Sequence, residues 1–69
     1  MRYSVNVRMK NPGPAKYLID SSETNDFMDA FYAGKRAAME IDSDHFVEIF
    51  DNETNDVLMT FNGEAKKSA

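Results

Sequence analysis

Two β-forming runs separated by a polar hexapeptide constrain this chain more than any other feature. Residues 45–50 read His-Phe-Val-Glu-Ile-Phe, and residues 57–61 read Val-Leu-Met-Thr-Phe. Between them stands Asp-Asn-Glu-Thr-Asn-Asp at 51–56. β-branched and aromatic side chains suit a pleated, half-buried surface, and Asp, Asn and Thr suit the turn between two such runs. The stretch is therefore a β-hairpin, and two registers compete for it. A four-residue loop sets Asp51 opposite Asp56, with Asn55 in the left-handed conformation that Asn tolerates. It then pairs Phe50 with Val57, Glu48 with Met59 and Phe46 with Phe61. A loop of odd length slips the pairing by one and turns the side chains over. Val47, Ile49, Val57, Met59 and Phe61 would then share one face, with Phe46, Phe50 and Leu58 on the other. In both registers each face carries large apolar residues, more than one helix can cover.

The rest of the chain supplies that helix and two further strands. Tyr3, Val5, Val7 and Met9 fall on one parity, and Arg2, Ser4, Asn6, Arg8 and Lys10 on the other, the period of a half-buried strand. Asn11-Pro12-Gly13-Pro14 reads as a type II turn. Residues 15–20 form a short second strand, with Tyr17 and Ile19 on one face and Leu18 on the other. Residues 21–26 are rich in N-cap types, and Glu23, Asp26 and Asp29 complement a helix N-terminus. From there to Ile41, Phe27, Ala30, Phe31, Gly34, Ala38 and Ile41 recur at spacings of three and four, an amphipathic helix. Met28, Tyr32 and Met39 flank that stripe as the edge of a core rather than as a cofactor contact. The residues 42–44 break the pattern.

The fold expected is α+β: a four-stranded antiparallel sheet in the order β-β-α-β-β with one helix on one face. The alternative lacks the second strand and reads β-α-β-β. Residues 1–63 make a single domain and 64–69 a flexible polar tail. A chain of 69 residues buries only about 60% of its unfolded surface, so the core is one layer of sheet against one helix. There is no cysteine, no run long enough to span a bilayer and no signal-peptide pattern at the start, so a cytoplasmic protein is expected.

The net charge of −4 conceals a strong asymmetry. Residues 1–19 carry Arg2, Arg8, Lys10 and Lys16, a charge of +4. Residues 20–64 carry all 12 acids against Lys35 and Arg36, a charge of −10, and Lys66 and Lys67 add +2. A region so acidic argues against direct nucleic-acid binding, whose affinity rests on phosphate neutralisation. It suits a partner with a basic surface.

No residue set assembles a reaction. The turn 51–56 has oxygens at the first, third and fifth positions of a calcium loop. Asp56 stands where that loop needs Gly, however, and Asn62 where it needs Glu, so a polar hairpin turn explains the residues. Asp42, Asp44 and His45 are too crowded in sequence for a metal site and lack a second histidine. Ser43, Asp44 and His45 are consecutive and cannot set the geometry of nucleophile, base and orienter. No catalytic residue, metal or cofactor is expected, and a chain of this size has little room for a cleft that buries a substrate. Tyr3, Tyr17, Phe46 and Phe50 could stack single-stranded bases, with positive charge only in the first two strands.

In size, acidity and absence of a catalytic set the chain resembles small phage-encoded proteins that block a host protein, anti-CRISPR and nuclease-inhibitor proteins among them. The resemblance is one of character and rests on no particular residues. It implies a non-catalytic, inhibitor-like binding module that occupies a basic surface of a larger protein, including one that normally holds nucleic acid. Asp26, Asp29, Glu40, Asp42, Asp44, Glu53 and Asp56 are the acidic contacts expected, and Phe46 and Phe50 the apolar anchors. Two other readings compete: a homodimer or assembly subunit joined through the uncovered sheet face, and a single-stranded RNA-binding module.

Overall fold

The structure, a computed structural model, describes residues 1–10 and 18–65. In chain order the elements are β1 (Tyr3–Met9), β2 (Leu18–Thr24), α1 (Phe27–Glu40), β3 (His45–Asp51) and β4 (Asp56–Asn62). The four strands form one antiparallel sheet in the order β2-β1-β3-β4, with the helix packed on one face. This is the β-β-α-β-β arrangement expected. The alternative without a second strand is excluded by the pairing of β1 with β2.

The first strand sets the two faces. Val5 lies opposite Ile49 and Val7 opposite Val47, and these four are buried under the helix. Ala30, Gly34 and Ala38 bring the helix down onto them, with Phe27, Phe31 and Ile41 packed at the margin. The ring of Phe27 meets that of Tyr3 edge-on at 5.6 Å, and Phe31 meets Phe61 at 5.8 Å. The small residues are what allow this approach. A Cβ on Gly34 would sit 3.0 Å from the ring of Phe61 and 3.4 Å from Ile49.

The hairpin combines both expected registers. Asp51 opposes Asp56, Phe50 opposes Val57, and Asn55 is left-handed with φ 62°, as the four-residue loop requires. Leu58 is then an extra residue, a β-bulge, and the pairing slips by one. Beyond it Ile49 pairs with Met59, Glu48 with Thr60, Val47 with Phe61 and Phe46 with Asn62. The bulge is what lets a polar turn of the right length coexist with Met59 and Phe61 facing the helix.

The second strand differs from the expectation in extent. It runs from Leu18 to Thr24, so Ser21, Ser22, Glu23 and Thr24 belong to a strand and not to a helix start. Both faces of this edge strand are exposed, and its backbone ladder to β1 overrides the weak strand preference of Asp and Ser. The expected turn at 11–14 and the strand residues 15–17, including Tyr17, lie outside the described residues. The N-cap is Asp26, whose carboxylate accepts from the amide of Met28 at 2.9 Å.

The chain beyond β4 is tied to the helix end. The amide of Gly63 donates to the carbonyl of His45 at 3.0 Å, Glu64 to Ala38 at 2.8 Å and Ala65 to Ile41 at 2.9 Å. Two of those carbonyls lie at the end of the helix, where no intrahelical donor reaches them. The remainder of the expected tail, 66–69, lies outside the described residues. Among the described residues, no helix is long and apolar enough to cross a membrane.

Candidate functional site

The helix covers one face of the sheet, and the other face is the candidate site. Alternation puts Ser4, Asn6 and Arg8 of β1 there, opposite Phe50, Glu48 and Phe46 of β3. Ser21 of β2 and Thr60 of β4 complete the central row. That row is a hydrogen-bonded chain. The hydroxyl of Ser21 donates to Oδ1 of Asn6 at 2.8 Å, and Nδ2 of Asn6 donates to Oε1 of Glu48 at 3.2 Å. Nε of Arg8 donates to the same oxygen at 2.7 Å. Asn6 is buried at 7% exposure although it faces away from the helix, because its neighbours close over it. Among the described residues no buried side-chain donor or acceptor lacks a partner, so the network is satisfied and rigid.

Phe46 and Phe50 stand on either side of this row. They are four residues apart on one strand, about 13 Å, with Glu48 between them. Both are half-buried. Beside Phe46 an open hollow of about 320 Å³ is lined by Lys10, Phe46, Thr60 and Asn62. The face therefore offers two separated aromatic surfaces on a fixed polar floor.

The seven acidic residues expected to meet a partner do not form one patch. They divide between the two ends of the molecule. Asp26, Glu53 and Asp56 lie at the end made by the helix start and the hairpin turn, with Asp29 one helical turn in. Glu40, Asp42 and Asp44 lie at the end made by the close of the helix and the start of β3. β3 spans the distance between the ends, about 20 Å. The helix acids Asp29 and Glu40 are on the side of the molecule away from Phe46 and Phe50.

Several of these carboxylates have local duties. Asp26 caps the helix. Oδ1 of Asp42 accepts from the amide of Asp44 at 2.9 Å and lies 2.7 Å from Nδ1 of His45. That contact clips the turn into β3 and accounts for His45 as a strand-start residue. Glu53 pairs with Nε of Arg2 at 2.9 Å. The side chains of Asp29, Glu40 and Asp56 make no hydrogen bond or ion pair among the described residues. Glu40 is also ill-placed for stability. It sits in the last turn of the helix, which holds no basic residue, where a negative charge opposes the helix dipole.

The turn end is organised around Asp51, a residue that the sequence reading did not single out. Its carboxylate is 4% exposed, accepts from the amide of Glu53 at 2.9 Å and meets Nη2 of Arg2 at 3.2 Å. Burial works against its charge, but the Glu53 amide, the Arg2 guanidinium and the Thr54 amide outweigh it and hold the carboxyl below its ordinary value of 3.8. Hydrogen bonding to Asp51 likewise raises Arg2. Asn52 ties in the N-terminus by donating to the carbonyl of Met1 and the hydroxyl of Ser4, both at 2.9 Å. An open groove of about 540 Å³ runs between Met1, Arg2, Asn25, Asn52 and Glu53. The oxygens that resembled a calcium loop are thus occupied in building the turn.

Neither the Ser21–Asn6–Glu48–Arg8 network nor the Asp51 cluster was singled out from sequence. The signal for the first was present: Asn6 and Arg8 on the polar parity of β1, and Glu48 as the one charge inside an apolar strand. Comparison of the chain with family models, with curated proteins and with solved structures finds no match.

Proposed function

We propose that the protein is a non-catalytic binding module, inhibitor-like in character, that docks its open sheet face on a larger protein with a basic surface. One observation carries this reading. Among the described residues one helix covers one sheet face and nothing covers the other, where two phenylalanines flank a hydrogen-bonded polar row. Aromatic side chains held on a rigid support are the kind of anchor that protein interfaces use. Phe46 and Phe50 are the apolar anchors. The acids at the two ends, Asp26, Glu53 and Asp56 on one side and Asp42 and Asp44 on the other, meet basic groups about 20 Å apart on the rim of the partner's groove, while Asp29 and Glu40, on the helix side, add only to the long-range attraction. A groove that ordinarily holds a nucleic-acid backbone is lined by cations and so offers such a basic surface.

The test is capture of partners from a native-host lysate on the immobilised protein at low and high salt, with wild type and with Phe50→Asp. Electrostatic docking predicts proteins with basic surfaces that are retained at low salt, released as salt rises and not retained by the variant. Retention indifferent both to ionic strength and to Phe50→Asp overturns the proposal.

A further inference from the structure

On the helix, Met28, Tyr32 and Met39 face solvent rather than the margin of the core, and exposure alone governs their chemistry. A reactive side chain of another kind stands at the end of β4, where the fold governs it. Of the six asparagines in the chain, Asn62 alone precedes a glycine. Glycine has no side chain to obstruct its own amide nitrogen, so the nitrogen of Gly63 can reach the carboxamide carbon of Asn62. Asn62 is exposed, and its carboxamide makes no hydrogen bond among the described residues. The carboxamides of Asn6, Asn25 and Asn52 are held: the first between Ser21 and Glu48, the second by the amide of Arg2, the third by Met1 and Ser4. That of Asn55 makes no hydrogen bond among the described residues either, but Asn55 precedes Asp56, whose side chain and charge hinder the attack.

What restrains Asn62 is backbone. It pairs with Phe46 in the ladder, and the amide of Gly63 donates to the carbonyl of His45 at 3.0 Å. An extended residue directs the next amide along the sheet, away from its own Cγ. Bringing the Gly63 nitrogen to Cγ therefore needs rotation about ψ of Asn62, and that rotation breaks the bond to His45. The bonds from Glu64 to Ala38 and from Ala65 to Ile41 continue the same attachment. β4 is an edge strand, and a segment held at its end in this way opens locally while the rest of the domain stays folded.

We propose that Asn62 is a modification site gated by this opening: when the end of β4 lifts, Asn62 converts irreversibly to isoaspartate or aspartate. In the lifted state a base takes the amide proton of Gly63, and the nitrogen attacks Cγ of Asn62. The bond from that nitrogen to Cγ forms, the bond from Cγ to Nδ2 breaks, and Nδ2 takes up a proton and leaves as ammonia. Water then opens the cyclic imide at either carbonyl, and nothing is oxidised or reduced. Isoaspartate routes the backbone through the former side chain and lengthens it by a methylene, so Gly63 no longer meets His45 in register. Aspartate keeps the backbone but places a carboxylate in the hollow that Asn62 shares with Lys10, Phe46 and Thr60. A reversible opening of the sheet end is thereby recorded as a permanent change.

Peptide mass mapping of the full chain, incubated over time at mildly alkaline pH in buffer and in guanidinium chloride, tests this. It reads the fraction of Asn62 converted, with Asn55 as the internal reference. Three backbone hydrogen bonds guard the site, so Asn62 should react at least about tenfold more slowly in the folded chain than in the unfolded one. In the unfolded chain it should outpace Asn55. Ala65→Pro removes the donor to Ile41 without touching residues 62 and 63. It should speed the folded rate several-fold and leave the unfolded rate unchanged. The two wild-type rates decide the matter if Ala65→Pro fails to fold. Equal rates in the folded and unfolded chains overturn the proposal, as does an unfolded Asn62 slower than Asn55. So does a folded chain, wild type or Ala65→Pro, in which Asn62 never converts, and so does a folded Ala65→Pro chain with no rise in rate.

Discussion

Replacing Gly63 with alanine should detach the end of the sheet from the end of the helix. A Cβ at position 63 would lie 1.8 Å from the carbonyl oxygen of Asp42, 2.5 Å from its carbon and 2.7 Å from the carbonyl oxygen of Ile41. All three atoms are backbone, so no side chain can rotate away, and the chain must retreat by more than 1 Å. Three hydrogen bonds depend on its present position: Gly63 to His45, Glu64 to Ala38 and Ala65 to Ile41. At a net worth of about 0.5–1.5 kcal/mol each, their loss costs about 1.5–4.5 kcal/mol. Alanine restricts the unfolded chain and returns about 0.4–1 kcal/mol, leaving a net loss of about 0.5–4 kcal/mol. A domain this size has about 3–10 kcal/mol in all, so the variant should be visibly crippled. Urea melts followed by circular dichroism measure the difference, with Gly34→Ala as the control. There the obstacle is the rim of the Phe61 ring at 3.0 Å, which can shift, and alanine gains about 1 kcal/mol of helix propensity. Gly34→Ala should therefore cost far less than Gly63→Ala. The reasoning fails if Gly63→Ala lies within about 0.5 kcal/mol of wild type, or if the two variants cost the same.

Other outcomes follow from the same structure. Ile49→Ala, in the buried centre, should cost about 2–5 kcal/mol in a denaturant melt, and Phe50→Ala on the open face clearly less. Asp26→Ala removes the helix cap and should cost about 0.5–2 kcal/mol. Asp51 titrates below its ordinary value in the fold, so its contribution is present above about pH 4 and is lost as pH falls through the lower folded value. Asp51→Asn should accordingly flatten that part of the acid limb of a stability–pH curve, and an unchanged limb refutes the assignment. Glu40→Gln should stabilise the helix by about 0.3–1 kcal/mol while leaving partner binding within about twofold of wild type, because Glu40 lies on the helix side. Thermal melts and titration calorimetry read the two effects separately.

The hairpin shows how far a sequence of this kind can be read. Its two strands follow from residue types, and the Asp51–Asp56 loop with a left-handed Asn55 is one of the two registers that those types allow. The Leu58 bulge does not follow from them, because nothing in Val-Leu-Met-Thr marks which residue will be left unpaired; it is set by the need to turn Met59 and Phe61 onto the helix. The helix was legible from its stripe, since Ala30, Gly34 and Ala38 are small at the spacing of one face. The extent of β2 was not. Ser21 to Thr24 look like a cap, and only pairing along the whole of β1 makes them a strand. The anchors Phe46 and Phe50 could be named as a same-face pair but not assigned a face until the bulge was known. The scattering of the acids between two ends was hidden for a simpler reason. Sequence neighbours such as Asp42 and Asp44 stay together in space, but whether they meet Asp26 depends on the direction in which the helix crosses the sheet.

Docking through the open face is tested most directly by one affinity comparison. Titration calorimetry against the captured partner would compare wild type with Phe46→Ser, Phe50→Ser and Tyr32→Ser, each first confirmed folded by circular dichroism. Docking through the open face predicts a loss of at least about tenfold in Kd for each phenylalanine variant and wild-type affinity for Tyr32→Ser. Wild-type affinity in both phenylalanine variants, with binding lost in Tyr32→Ser, would place the partner on the other side of the molecule and contradict it.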